Sequence, residues 1–219
     1  MTWQQKYKGV IFDFNGTLFW DTELHNRAWD GFLHTYGVHL SDEEKQQKLH
    51  GKNNFQLITD LIPQKLSREE IAHIAREKEL LYHRMVTEKG LQLSEGVIPL
   101  FERLQRKSIA FTIVTASDQM NVDFYFEYLQ LGRWFDKDKV IFSDGTIRPK
   151  PHPDMFLRAM EVLRVNPEET IIFEDSDTGL TAAKNSGAAK IIIVDSIGRD
   201  YSRWPFEVIR SFREIDLEF

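Results

Sequence analysis

Residues 8–17 read Lys8-Gly-Val-Ile-Phe-Asp13-Phe-Asn15-Gly16-Thr17, an apolar run that ends on a lone carboxylate and passes straight into a turn. Apolar residues in sequence, without alternation, mark a strand buried on both faces. A carboxylate at the end of such a strand sits at the carboxyl edge of the sheet, where open α/β sheets bind ligands. Asp13 is therefore a candidate nucleophile, and Gly16 allows close backbone approach in the turn behind it. The competing reading is an ordinary Asp-x-Asn-Gly turn, and the rest of the chain has to decide between the two.

The first strand run is taken as 10–14, and four further apolar runs follow, at 109–114, 140–142, 171–173 and 191–194. Helical patterns at 97–106, 118–130, 153–164 and 178–186 lie among them. Strand alternating with helix predicts an α/β fold with a doubly wound, mostly parallel sheet. Residues 21–90 break this rhythm. Leu24, Ala28, Phe32 and Tyr36 recur at every fourth position, and Ser41-Asp-Glu-Glu44 and Ser67-Arg-Glu-Glu70 match the capping box that opens helices. A helix from about 68 to 88 would carry Ile71, Ile74, Ala75, Leu81, Tyr82 and Met85 on one stripe. The expected organisation is a core domain from 1–20 and 91–219, with a helical domain inserted at 21–90. Hinges are expected near 19–22 and 91–96, and the tail, 207–219, is expected to add an edge strand and a short helix.

Bulk properties exclude several classes. A chain of 219 residues that is 42% hydrophobic can bury a sizeable core. Its net charge of −6 argues against a nucleic-acid partner, which calls for a basic face. With no cysteine, disulfides and thiolate metal sites are ruled out. The first residues lack the apolar core of a signal peptide, and no run approaches the roughly 18 apolar residues of a membrane span. A soluble, cytoplasmic protein with no membrane partner is expected, and a monomer is the simplest oligomeric expectation. The five Trp and sixteen Phe are read as core.

Three more stretches could serve a phosphate. Thr115-Ala116-Ser117 offers hydroxyls and free N–H groups before a helix, although Ser117-Asp118 would serve equally as a plain N-cap. Arg148-Pro-Lys150-Pro-His-Pro-Asp154-Met-Phe156 holds a lysine between prolines, a compact charge for an anion. Glu174-Asp175-Ser-Asp177-Thr-Gly179 ends a buried strand on two adjacent carboxylates, which is costly unless a cation or hydrogen bonds satisfy them. Mg²⁺ prefers oxygen ligands. Asp13, the main-chain carbonyl of Asn15 and Asp175 are the candidate direct ligands, with Glu174 direct or through water, and Asp177 is read as holding the loop.

The opening stretch, Asp13-Phe-Asn15-Gly16-Thr17, resembles motif I of the haloacid-dehalogenase (HAD) phosphotransferases, Asp-x-Asp-Gly-Thr/Val, and the lysine stretch resembles their Lys-Pro-x-Pro-Asp-x-Phe. The resemblance covers roughly residues 8–195. It implies a Rossmann-like core, Mg²⁺, a helical C1 cap at 21–90, and attack by Asp13 on phosphorus, assisted by Lys150, with Thr115, Ala116 and Ser117 at the phosphate. Asp21-Thr-Glu-Leu-His25-Asn-Arg-Ala-Trp29 brings the chain nearest to the β-phosphoglucomutase-like subfamily. That likeness implies a substrate-side role for His25, which helps couple cap closure to catalysis there, and for Trp29. It also places a substrate-phosphate lysine near Lys78, for which snorkelling to the surface is the favoured alternative. His50-Gly51-Lys52-Asn53-Asn54 resembles the cap's specificity loop, with Asn54 where the mutase carries an arginine and Lys52 a possible substitute. His34, His39, His73 and His83 are assigned no role.

Motif I departs from the family at Asn15, where the second Asp, the acid/base, would stand. An amide cannot exchange protons near neutral pH, and general acid–base catalysis contributes roughly 10²–10⁴-fold. Three readings follow: a slow or selective phosphatase in which His25 or another cap group moves the proton; a sugar-phosphate mutase with an altered relay; and a catalytically silent phosphate-binding module. In each, the partner is a small phosphorylated molecule.

Overall fold

The computed structural model describes residues 7–215. Residues 1–6 of the expected core segment and 216–219 of the expected tail lie outside the described residues.

Five parallel strands form one sheet: β1 (Gly9–Phe12), β2 (Ala110–Ile113), β3 (Thr170–Glu174), β4 (Lys190–Val194) and β5 (Glu207–Ile209), in the order β2-β1-β3-β4-β5. Phe12 pairs with Ile113 on one side and Phe173 on the other. The residues that follow, Asp13, Val114 and Glu174, therefore leave the sheet side by side. Chain order reverses at β1, so β1 and its neighbours bound the crevice where such sheets take ligands.

Both faces of the sheet are buried, as the unalternating runs require. Val10, Phe12, Ile171, Phe173 and Ile192 pack into one core with Phe101 and Phe212; Ile11, Ile172, Ile191 and Ile193 pack into the other with Phe156 and Leu180. Phe12 stacks on Phe173 at 5.0 Å and meets Phe101 edge-on at 5.5 Å, so much of the aromatic surplus is core. Each buried Phe contributes on the order of 2–3 kcal/mol.

Residues between β1 and the next core helix form four helices: α1 (Thr22–Thr35), α2 (Asp42–Lys48), α3 (Asn54–Leu61) and α4 (Arg68–Lys89). Both expected capping boxes are present, Ser41 with Glu44 and Ser67 with Glu70, and Asn53 with Gln56 forms a third. Trp29, Leu33, Leu57, Ile58, Ile71 and Ile74 give these helices an apolar core of their own. The remaining helices are α5 (Val97–Arg106), α6 (Gln119–Tyr128), α7 (Asp154–Leu163) and α8 (Asp177–Asn185).

Two expectations need correction. The run at 140–142 makes only an isolated bridge, Val114 to Ile141, because the chain passes the edge of β2 without running alongside it. Phe14 belongs to the turn, since Thr17 N and Phe19 N both bond its carbonyl. The tail supplies β5 and one short turn of helix at Phe212–Glu214. Among the described residues, no helix is long and apolar enough to cross a membrane.

Candidate active site

Asp13, Glu174 and Asp175 are buried together where β1 and β3 end, each offering an oxygen within 4.8 Å of the others. Lys150 Nζ donates to Asp13 Oδ1 and to Glu174 Oε1, both at 2.6 Å, and is itself buried. Burial pushes the Asp13 carboxyl up to about 7, the Glu174 charge pushes the same way, and Lys150 opposes both. Burial, then Glu174 and Asp13, raise Asp175 well above the usual carboxylate range. Burial works against the Lys150 ammonium, but the two carboxylates outweigh it and hold the proton on.

The donor set fits a divalent cation. Three buried carboxylates face one hydrogen-bonded ammonium, which leaves an excess of buried negative charge that is costly without a counter-ion. Asp13 Oδ2 is buried and meets no hydrogen-bond partner. Gly16 lies in the left-handed region (φ +81°), and a Cβ there would overlap the Asp175 carboxylate, so glycine keeps this cradle open. The two Glu174 oxygens are already engaged: Oε1 by Lys150, and Oε2 by the N–H groups of Asp175 and Ser176 at 2.6 Å each. Glu174 thus anchors Lys150 and the loop around the carboxylate pair.

Asn15 sits beside this cluster in a full hydrogen-bond shell. Its Nδ2 donates to Asp21 Oδ2 at 2.7 Å and to Tyr125 Oη at 2.8 Å. Its Oδ1 accepts from Ser117 Oγ at 2.9 Å and Thr115 Oγ1 at 3.3 Å. Asp21 is fully buried, and it also accepts from Gly16 N and Tyr82 Oη. His25 stacks on Tyr82 at 3.9 Å and places Nε2 3.3 Å from Asp21 Oδ2. Its Nδ1 lies 3.0 Å from Lys78 Nζ. An ammonium can only donate, so Nδ1 accepts and the imidazole proton resides on Nε2, facing Asp21.

A cleft enclosing about 690 Å³, open solvent at its mouth included, joins these groups. Asp13, Asn15, His25, Trp29, Asn54, Lys78, Ala116, Ser117 and Asp175 all line it; Thr115, Lys150 and Glu174 stand behind that lining.

A strand end bearing a carboxylate, a buried lysine and paired carboxylates on the adjacent parallel strand all lie within residues 10–193, which match the profile of the haloacid dehalogenase-like hydrolases. The chain belongs to the haloacid dehalogenase-like hydrolases. It is similar to a family IA, variant 3 HAD hydrolase from Entamoeba histolytica, with 38% identity and a TM-score of 0.86 over 96% of each chain. It is also similar to the fructose-1-phosphate phosphatase of Escherichia coli, with 29% identity over 84% of this chain and 94% of that protein. A mutant of CbbY from Rhodobacter sphaeroides, in complex with xylulose-(1,5)bisphosphate, shares 26% identity and a TM-score of 0.79 over 95% of this chain and 96% of that one.

Against the background of a HAD-like hydrolase, several expectations change. Lys78 does not snorkel. It is 1% exposed, paired with Glu79 at 2.8 Å, and held over the Trp29 and Tyr82 rings at 5.0 and 5.4 Å. Asn54 donates to Glu79 Oε1 at 2.6 Å and so faces an acid. Lys52 stands 3.6 Å from Asp60. Ser117 is free of capping duty because Asp118 caps α6. His83, assigned nothing, bonds Asn121 Oδ1 at 2.6 Å and stacks on Phe124. Asp177 holds its loop through Arg199, Arg203 and Trp204. The residues that sequence reasoning missed are Asp21, Tyr125, Tyr82 and Glu79. Asp21 is the N-cap residue of α1, yet its side chain makes no cap hydrogen bond and turns to Asn15 instead.

Proposed function

We propose that the chain is a Mg²⁺-dependent phosphatase of small phosphorylated metabolites, in the sugar-phosphate class, working through an aspartyl-phosphate on Asp13. Asp13 lines the cleft and its Oδ2 is buried and unpartnered, and this carries the reading. The fructose-1-phosphate phosphatase among the relatives supports the substrate class. Residues 21–90 act as a cap over the core residues 1–20 and 91–219. Contacts between the two groups support this: Asn15 to Asp21 and His25, His83 to Asn121, and Thr178 to the His50 carbonyl.

Asp13, Asp175 and the Asn15 carbonyl would hold Mg²⁺, with Glu174 behind them. When bound, the ion neutralises phosphate charge and screens the approaching carboxylate. Asp13 attacks phosphorus, the bond to the substrate oxygen breaks, and the aspartyl-phosphate forms. Lys150 holds the unreactive Asp13 oxygen and so aims the other. Thr115 and Ser117 orient the Asn15 amide, and the Ala116–Ser117 edge receives phosphate oxygens.

The proton that Asn15 cannot supply comes from His25. Nε2–H passes to the departing oxygen while Nδ1 takes a proton from the Lys78 ammonium. In the second half, water attacks phosphorus, its proton enters at Nε2, and the Nδ1 proton returns to Lys78. Inorganic phosphate leaves and the Asp13 carboxylate is regenerated. Asp21 fixes the ring and its tautomer. Trp29 closes the apolar side of the cleft.

Phosphate release by the parent and by Asp13→Ala over a panel of phosphorylated metabolites tests the reading, along with the mass of Asp13 peptides after incubation with acetyl phosphate and Mg²⁺. Equal release by both proteins removes it. A persistent phosphate adduct with no turnover points instead to a module that captures phosphate without hydrolysing it, the outcome favoured by Asn15.

A further inference from the structure

Glu79 is a buried acid in the α4 wall of the cleft, 1% exposed. One of its oxygens is satisfied twice, by Lys78 and Asn54. The other, Oε2, is buried and has no hydrogen-bond partner. Burial works to raise this carboxyl, but the Lys78 charge, with His25 and the two hydrogen bonds, outweighs it and holds the group down at about 2. It is therefore a carboxylate, and an ionised oxygen left without a donor is among the costliest groups to bury.

We propose that Glu79 forms the specificity subsite for the non-phosphate end of the substrate, accepting a hydrogen bond from a hydroxyl and excluding a second phosphate. This rests on the reading that the reacting phosphate sits at Asp13. Three observations join here. The orphaned oxygen calls for a donor, and a polyol or sugar hydroxyl is a neutral one. The Lys78 ammonium, which could otherwise greet a distal phosphate, already lies against Glu79. Asn54 is turned to the same carboxylate. Trp29 and Leu57 add an apolar flank for the carbon chain. The preferred substrate class is thus a polyhydroxy monophosphate. The site disfavours bisphosphates, which puts turnover of sugar monophosphates ahead of mutase chemistry, since the latter passes through a doubly phosphorylated intermediate.

The test compares the full chain with Glu79→Gln, in Mg²⁺, on glycerol phosphate, sorbitol phosphate, phenyl phosphate and fructose bisphosphate. Binding is read by calorimetry, and kcat/KM wherever phosphate is released. Loss of a charged hydrogen bond predicts about a tenfold or greater fall in affinity for the polyol phosphates, with the affinity for phenyl phosphate changed by less than about threefold. Fructose bisphosphate improves, because the repelling charge is gone. An equal fall on every ligand, no change on any, or no binding of polyol phosphates by the parent overturns the proposal. Should Glu79→Gln fail to fold, the parent is compared on sorbitol phosphate and a deoxy analogue: a similar fall supports the subsite, and equal binding removes it. Failure of the hydrolase reading looks different. No phosphate is released, while the calorimetric contrast at Glu79 persists.

Discussion

The Asn15 amide and the Asp21 carboxylate are bonded at 2.7 Å, and Asp21 is wholly buried. An aspartate at position 15 would set two carboxylates at this distance with no water between them. One of the pair must then keep a proton. Restoring the family's Asp at position 15 alone therefore does not supply a free acid.

Asn15→Asp alone is expected to gain little activity and to lose stability, on the order of 1–3 kcal/mol, because Tyr125 and Asp21 each lose a donor. Asn15→Asp combined with Asp21→Asn restores the donor from the other side and frees the new acid. The double variant is expected to exceed the parent by at least about tenfold in phosphate release, the low end of acid–base catalysis. Initial rates and thermal melts of the three proteins decide this. A single variant that is both faster and as stable as the parent contradicts it.

Lys150→Met removes the ammonium that bonds Asp13 and Glu174. Breaking a buried ion pair from one side costs about 3–5 kcal/mol. Added Mg²⁺ should recover part of that loss, so the rise in Tm on adding Mg²⁺ is expected to be larger for the variant than for the parent. Equal rises would mean that the carboxylates do not share a cation.

Gly51 has a φ of +74°, and a Cβ there would overlap the Thr178 and Ser176 hydroxyls. Gly51→Ala is therefore expected to hold the 50–54 loop off the core. The cleft would open and kcat/KM for phosphate release would fall at least about tenfold, from misplacement alone. Thr178→Gly relieves the nearest overlap and is expected to return part of the loss.

His50 bonds Asn26 Oδ1 through Nε2, and its buried Nδ1 has no partner. Burial, reinforced by the Arg199 charge and opposed by Asp21 and Asp177, pushes the ring down from 6.5 to about 4. The unfolded chain takes up this proton first as pH falls. Stability present above about pH 6.5 is thus lost progressively as pH drops toward 4, on the order of 2–3 kcal/mol. Urea titrations of the parent and His50→Gln across that window check it: the variant's curve should be flatter.

The strands and core helices were legible because a strand buried on both faces is written in contiguous residues, and so are capping boxes. The meeting of Asp13 with Asp175 was legible for a similar reason, since each follows such a run, whereas Lys150 was marked only by its flanking prolines and the family resemblance. Asp21, Tyr82 and Tyr125 were not. Their meeting depends on α1, α4 and α6 converging on one amide, with sequence separations of 61 and 110 residues in the hydrogen bonds concerned. Lys78 was misjudged because its counter-charge is the adjacent residue, Glu79, which helical periodicity assigns to a different direction. Only the shape of the interior shows that both are enclosed.

Asn15 Nδ2 grips Asp21, at the start of α1, and Tyr125, while Oδ1 holds Thr115 and Ser117, so the side chain is a clasp between α1 and the core. Parting the two sides means releasing several bonds together. Opening of the cleft is then expected to be all-or-none rather than gradual, and once the proton step is restored, as in the double variant, escape of free phosphate is expected to become the slow event, with the rate dropping in proportion as glycerol or sucrose thickens the solvent.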